Sequence, residues 1–177
     1  MITFSASQSG ACSVKTDSSS FDVFPGKPSK DGWSILSHPE ESLENKRVVS
    51  WPGEYDFGGV TVRAIGQEEG KQVSYTCNAD GIRSAFVDAP VLAWSDAEIE
   101  KLGDIDVLVV AADDPKKVVG LVESVDPRII ILTKTKDGDL PGCAKALGQT
   151  APAAVPELKV KPGSLPTDSR QVVVLGE

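Results

Sequence analysis

Residues 105–132 read IDVLVVAADDPKKVVGLVESVDPRIIIL, and the change of period inside this stretch decides the fold. Residues 105–111 are a near-continuous apolar run, the pattern of a strand buried on both faces. Asp113 or Asp114 then caps a helix with Pro115 in its first turn, where the missing N–H would have no intrahelical partner anyway. Val118, Val119, Val122 and Val125 recur at helical spacing and predict one buried face. Residues 128–132 are a second buried strand. A strand, a helix and a strand within 28 residues predict a right-handed crossover onto a parallel neighbour.

On the N-terminal side, Ser95-Asp96-Ala97-Glu98 is a capping box that opens a short helix through Leu102, which Gly103 can end. Before residue 94 the pattern is different. Short β-branched and aromatic segments alternate with Gly, Pro and Ser clusters, predicting strands at 2–5, 12–16, 21–24, 33–36, 47–51, 54–57, 60–65, 73–77 and 83–87. Gly58-Gly59 and Asp80-Gly81 are tight hairpin signals, because their positions tolerate positive φ. Beyond the crossover, residues 140–147 form a weaker helix, 151–156 a connecting loop, and 158–161 and 171–175 closing strands. A β-meander half followed by a βαβ half predicts an α/β protein of two packed sheets with helices outside.

With 177 residues and 40% apolar content the chain can bury one sizeable core, so a single domain over 1–177 is expected. Eighteen basic against twenty-six acidic residues leave a net charge of −8, which opposes binding to nucleic acid or to an anionic membrane surface. Cys12, Cys77 and Cys143 are odd in number and lack C-x-x-C spacing, which fits a reducing cytoplasm and buried, inert thiols. Residues 1–5 carry no basic or apolar leader pattern, and no run approaches the ~18 apolar residues of a membrane span, so neither export nor insertion is expected. Trp33, Trp51 and Trp94 are read as sheet-packing residues. The chain holds one histidine, His38, and no G-x-S-x-G elbow. Neither a metal held by several imidazoles nor a Ser-His-Asp triad is supported.

Pro52-Gly53-Glu54-Tyr55-Asp56-Phe57-Gly58-Gly59-Val60-Thr61-Val62 resembles the "PGEYE…GV-V" hairpin of the metallo-β-lactamase superfamily, in the branch similar to L-ascorbate-6-phosphate lactonase. Asp80-Gly81-Ile82-Arg83, Leu102-Gly103-Asp104-Ile105-Asp106-Val107-Leu108, Asp126-Pro127-Arg128-Ile129-Ile130-Ile131, Leu165-Pro166 and Gln171-Val172-Val173-Val174-Leu175 extend the resemblance over most of 48–177. Residues 1–47 match loosely, through the opening strand and Ser37-His38. The resemblance implies a metallo-β-lactamase-like αβ/βα sandwich of two packed mixed sheets with helices outside. It also implies where metal ligands should lie. The H-x-H-x-D-H loop falls on residues 37–43, where His38 survives, Glu40 takes the second histidine's place, and Ser42 and Leu43 stand for the aspartate and last histidine. Ala89 falls on the bridging aspartate, with Asp88 one residue off, Leu92 on a neighbouring histidine and Lys134 on the late histidine. Nearly every ligand position is thus occupied by a group that cannot bind zinc, so the resemblance implies a retained fold, a lost metal centre and no cofactor.

The candidate pocket is therefore His38, Glu40, Asp88, Asp113 and Lys134. His38 reads either as an ordinary loop histidine or as a residual ligand, and Asp113-Asp114 most simply caps a helix. Lys134 is read either as an exposed strand-end lysine or as a buried cation within ~4 Å of Asp88, Asp113 or Asp114. The expected role is a non-catalytic module that binds a small anionic ligand or pairs with itself or a paralogue through a sheet edge. The alternative is a hydrolase of the lactonase-like branch with an altered site, using metal at His38, Glu40 and Asp88, or a desolvated Lys134 without metal.

Overall fold

The structure is a computed structural model that describes residues 1–8, 10–41, 46–150 and 152–176. In chain order the elements are β1 (Ile2–Ala6), β2 (Cys12–Lys15), β3 (Ser20–Val23), β4 (Trp33–Ile35), β5 (Val48–Val49), β6 (Gly53–Phe57), β7 (Val60–Gln67), β8 (Gln72–Ala79) and β9 (Ile82–Val87). They continue with α1 (Asp96–Leu102), β10 (Val107–Ala111), α2 (Pro115–Val125), β11 (Ile129–Thr133), α3 (Leu140–Ala146), β12 (Ala154–Val155), β13 (Glu157–Val160) and β14 (Gln171–Leu175). A six-stranded sheet runs β13-β1-β2-β3-β4-β5 and an eight-stranded sheet runs β12-β14-β11-β10-β9-β8-β7-β6. Both are mixed, and the expected α/β sandwich is present.

The crossover at residues 105–132 sets the centre of the larger sheet. β10 pairs β11 in parallel, with Val107 opposite Ile129. Alternation then divides their side chains. Val107, Val109, Ile129 and Ile131 join the core between the sheets, while Leu108, Val110, Ile130 and Leu132 face the helices, so both strands are buried on both faces. The helix-side cluster takes Leu102 from α1, Val118, Leu121 and Val122 from α2, and Cys143 and Ala144 from α3. Val119 is only half-buried, since it lies about 100° around the helix from Val118, and Leu121 completes the buried stripe in its place.

Local chemistry explains the ends. Ser95 accepts from the Glu98 N–H at 3.3 Å while Glu98 accepts from the Ser95 N–H at 2.8 Å, the predicted capping box. Ser95→Ala is expected to lower stability by about 1 kcal/mol, measured as a shift of the urea midpoint at unchanged slope. The Gly58-Gly59 and Asp80-Gly81 turns have φ of 56° and 78°, and 51° and 75°, both central residues being left-handed as a tight hairpin requires.

Three expectations are corrected. The first half is not a plain meander, because β3 pairs β4, and β4 pairs β5, in parallel; residues 24–32, with Pro25 and Pro28, return the chain before Trp33. The strand expected at 47–51 shortens to Val48–Val49, because the Ser50 hydroxyl is occupied by the Glu40 N–H at 3.2 Å and Pro52 has no N–H to donate. The loop expected at 151–156 contains β12, which pairs β14 in parallel at the otherwise open edge of the larger sheet; Ala151 lies outside the described residues.

Candidate functional site

The rim between the sheets is built from strand ends. On β9, Phe86 faces the core between the sheets and Val87 faces the helices, so the alternation turns Asp88, just past the strand, back toward the smaller sheet. There its carboxylate accepts from the Ser37 hydroxyl and, at 2.8 Å, from the Ala89 N–H, and it lies within electrostatic reach of His38. Ser37 and His38 follow β4. The Ser37 carbonyl accepts from the Val73 N–H at 2.8 Å, and the Leu36 N–H donates to the Val49 carbonyl at 2.9 Å. The Tyr75 hydroxyl, buried on β8, sits 2.6 Å from the Leu36 carbonyl and 2.9 Å from the Val49 carbonyl. One side chain of the larger sheet thus ties two strand ends of the smaller one.

His38 Nε2 lies 3.0 Å from Glu40 Oε1, in an exposed pair. The Glu40 backbone is held on both sides, its N–H by Ser50 and its carbonyl by the Trp51 indole N–H at 3.3 Å. The structure therefore pairs His38 with Glu40 and sets Asp88, with Ser37 on it, within electrostatic reach of His38, without gathering the three donors at one point. Ser42 and Leu43, the stand-ins for the last two ligands of the loop, lie outside the described residues. Trp51 is not a packing residue as expected: it is 48% exposed, because its indole lies over the Glu40 carbonyl rather than between strands. Trp33 does pack, stacked on Phe57 with centroids 4.3 Å apart.

Burial pushes the Asp88 carboxyl above its ordinary range, against the opposing effects of the Ser37 hydroxyl, the Ala89 N–H and His38. The folded state therefore holds this proton more tightly than the unfolded chain. Stability falls as pH rises from the ordinary carboxylate range through the raised value, and the cost is fully present above it. Asp88→Asn, which keeps an accepting oxygen, is expected to raise Tm at neutral pH, with the gain vanishing in acid; a Tm series against pH for the two proteins checks it.

Asp113 and Lys134 stand elsewhere. Asp113 Oδ2 accepts from the Val91 N–H at 3.0 Å, and Asp114 Oδ1 caps α2 through the Lys116 and Lys117 N–H groups at 2.8 and 3.2 Å. With these carboxylates taken up by backbone donors, the expected ion pair with Lys134 does not form. Lys134 is exposed and has no ion pair among the described residues. It instead lines a cleft of about 390 Å³ between the β1–β2 loop and the end of β14, with Ser7, Gln8, Gly10, Leu175 and Gly176. Gly10 is required there, since a Cβ would lie 2.7 Å from the Val23 carbonyl oxygen. The one expected pocket is thus two places: an acidic rim at Asp88, and a cationic cleft at Lys134.

The thiols are free and buried. Burial raises Cys12 and Cys77 well above the ordinary thiol range and pushes Cys143 up to about 11, with nearby aspartates adding to it, so none is a thiolate near neutral pH. Ser37 and Tyr75 were not singled out from sequence. A tyrosine among apolar strand positions signals only a buried ring that needs a partner for its hydroxyl.

No family model matches the chain, and no curated protein matches it. Solved structures do. A candidate zinc-dependent hydrolase of the metallo-β-lactamase superfamily from Thermotoga maritima is 21% identical, with 99% of this chain and 98% of that one covered at a TM-score of 0.76. A candidate metal-dependent hydrolase from Parabacteroides distasonis is 12% identical, over 98% and 92%, at 0.61. The metallo-β-lactamase fold protein YhfI from Bacillus subtilis is 8% identical, over 82% and 91%, at 0.60. The chain has the metallo-β-lactamase fold, and its neighbours include proteins described as hydrolases. A catalytic zinc needs about three protein ligands. Among the described residues no three His, Cys, Asp or Glu side chains converge, and the one imidazole is already paired with Glu40. The described donors do not fit such an ion. No helix among the described residues is long and apolar enough to cross a membrane.

Proposed function

We propose that the chain is a non-catalytic protein of metallo-β-lactamase fold, one that has lost the metal site and holds a small anionic ligand in the cleft lined by Lys134. The observation that carries this reading is the cation in the Lys134 cleft, unpaired among the described residues. Where the resemblance puts a metal-binding histidine there is a lysine, and its ammonium has no carboxylate partner among the described residues. A positive group at the mouth of a 390 Å³ cleft attracts and orients an anion without needing an ion to do so. The donors His38, Glu40 and Asp88 support the same reading, since no three His, Cys, Asp or Glu side chains among the described residues converge as a catalytic zinc would need.

Protein purified without chelator is expected to carry far less than one zinc, manganese or iron per chain by elemental analysis; whole-number occupancy would return the hydrolase reading with His38, Glu40 and Asp88 as ligands. A thermal-shift panel of phosphomonoesters and small carboxylates supplies the positive arm. A ligand at a hundred times its Kd adds about 2.7 kcal/mol to stability, a readily measured rise in Tm. A panel without any rise at millimolar concentration sinks the proposal. Light scattering on the eluting protein tests the pairing variant, self-association through a sheet edge, which a strict monomer would end.

A further inference from the structure

On the outward face of the larger sheet, Ile65, Gln67, Gln72 and Ser74 are buried at one end of β7 and β8, while Thr61, Arg63 and Asn78 at the other end are exposed. The register across that face is informative. Thr61 on β7 lies opposite Asn78 on β8, which lies opposite Arg83 on β9, so these three side chains form one row across the sheet. Arg63 lies opposite Thr76 in the adjacent row, and on its other side opposite Glu54. The end of α1 closes the face, and together these residues line a cleft of about 300 Å³ that Lys101 also lines.

The hydrogen bonds separate the committed groups from the open ones. Arg63 is fixed, its Nη2 and Nε donating to Glu54 at 2.8 and 3.2 Å and its Nη1 to the Lys101 carbonyl at 3.4 Å. Glu54 is the only carboxylate in the lining. Arg83 is held by position rather than by partners: a Cβ on Gly103 would lie 3.1 Å from its Nη2, so the guanidinium rests against the end of α1. Neither the Arg83 guanidinium nor the Lys101 ammonium has an ion pair or hydrogen bond among the described residues, and the Asn78 and Thr76 side chains have no hydrogen-bond partner there either. In a chain of net charge −8, three cations thus share one cleft with a single carboxylate.

We propose that this cleft is a second anion site, distinct from the one at Lys134, in which Arg83, Lys101 and Asn78 hold a phosphoryl group. A carboxylate would be satisfied by the arginine fork alone; a tetrahedral oxyanion has the oxygens to take the fork, a lysine point charge and an amide donor at once. Arg63 and Glu54 cancel as an ion pair, so the net positive charge of the cleft is that of Arg83 and Lys101. The larger neighbouring cleft of about 590 Å³ shares Glu54, Arg63 and Lys101 and adds Pro52, Ala64, Ile65 and the acidic Glu69, so it suits the uncharged body of a phosphate ester and not a second phosphoryl group.

Titration of the isotope-labelled full chain with inorganic pyrophosphate, followed by amide chemical shifts, tests the site. Saturable shifts are expected at residues 76–83 and 101–103, weakening as ionic strength rises. Arg83→Ala and Lys101→Ala are each expected to weaken this binding at least tenfold with little change of the ligand-free unfolding midpoint, since neither head group has an ion pair or hydrogen bond among the described residues and Lys101 meets only the exposed Glu98 at longer range. Lys134→Ala is expected to leave it intact. Shifts confined to residues 6–11 and 134, lost in Lys134→Ala and kept in Arg83→Ala, would overturn this site while leaving the proposed function standing. No saturable shift at millimolar pyrophosphate, or equal loss in all three variants, would also overturn it.

Discussion

Tyr75→Phe is expected to destabilise the fold by about 1–3 kcal/mol, and Tyr75→Ala by about 3–5 kcal/mol, measured by denaturant unfolding. Tyr75 is fully buried, against Phe24 with centroids 6.0 Å apart, so alanine removes an intersheet ring and leaves a void. Phenylalanine keeps the ring and isolates the hydroxyl. That hydroxyl reaches the carbonyls of Leu36 and Val49 at 2.6 and 2.9 Å, in a site closed to bulk solvent. The Val49 carbonyl keeps the Leu36 N–H; the Leu36 carbonyl loses its hydroxyl donor. Because Leu36 leads directly into Ser37 and His38, hydrogen exchange should quicken first at residues 36–40 in the phenylalanine variant. Equal stability of the phenylalanine variant and the parent, with unchanged exchange there, would show that the tie between the sheets contributes nothing.

Reversing the charge at Lys134 is expected to abolish anion-induced stabilisation. In Lys134→Glu the cleft loses an attraction and gains a repulsion, together about 3 kcal/mol, or more than a hundredfold in Kd for the tightest binder of the phosphate and carboxylate panel. The side chain is exposed and has no ion pair among the described residues, so the ligand-free stability should move by no more than about 0.5 kcal/mol. The comparison of ligand-bound and ligand-free midpoints separates the two effects. An unchanged Kd would place the anion outside this cleft.

The fold was legible because its signals are local and repeat. Continuous apolar runs at Val107–Ala111 and Ile129–Thr133, a capping box at Ser95, a proline at the start of α2 and left-handed turns at Gly58 and Asp80 each constrain backbone dihedrals within a few residues. The candidate site was legible only in part. His38, Glu40 and Asp88 were singled out and lie on the same rim, but Lys134 and Asp113, placed with them by the resemblance and a possible ion pair, do not. Nothing in the sequence says that the Asp113 carboxylate accepts from the Val91 N–H 22 positions earlier, or that Trp51 lies over a loop and not inside a sheet.

Periodicity, capping residues and turn chemistry are properties of neighbouring residues, and they were enough to specify the strands, the helices and the parallel crossover at the centre. Which carboxylate meets which cation depends on distances between strand ends far apart in the chain, where a single bond to a backbone N–H outcompetes an ion pair. Only the tertiary packing of sheets, helices and loops decides that, because it determines which polar groups find backbone partners and which, like Lys134 and Arg83, are left facing a cleft.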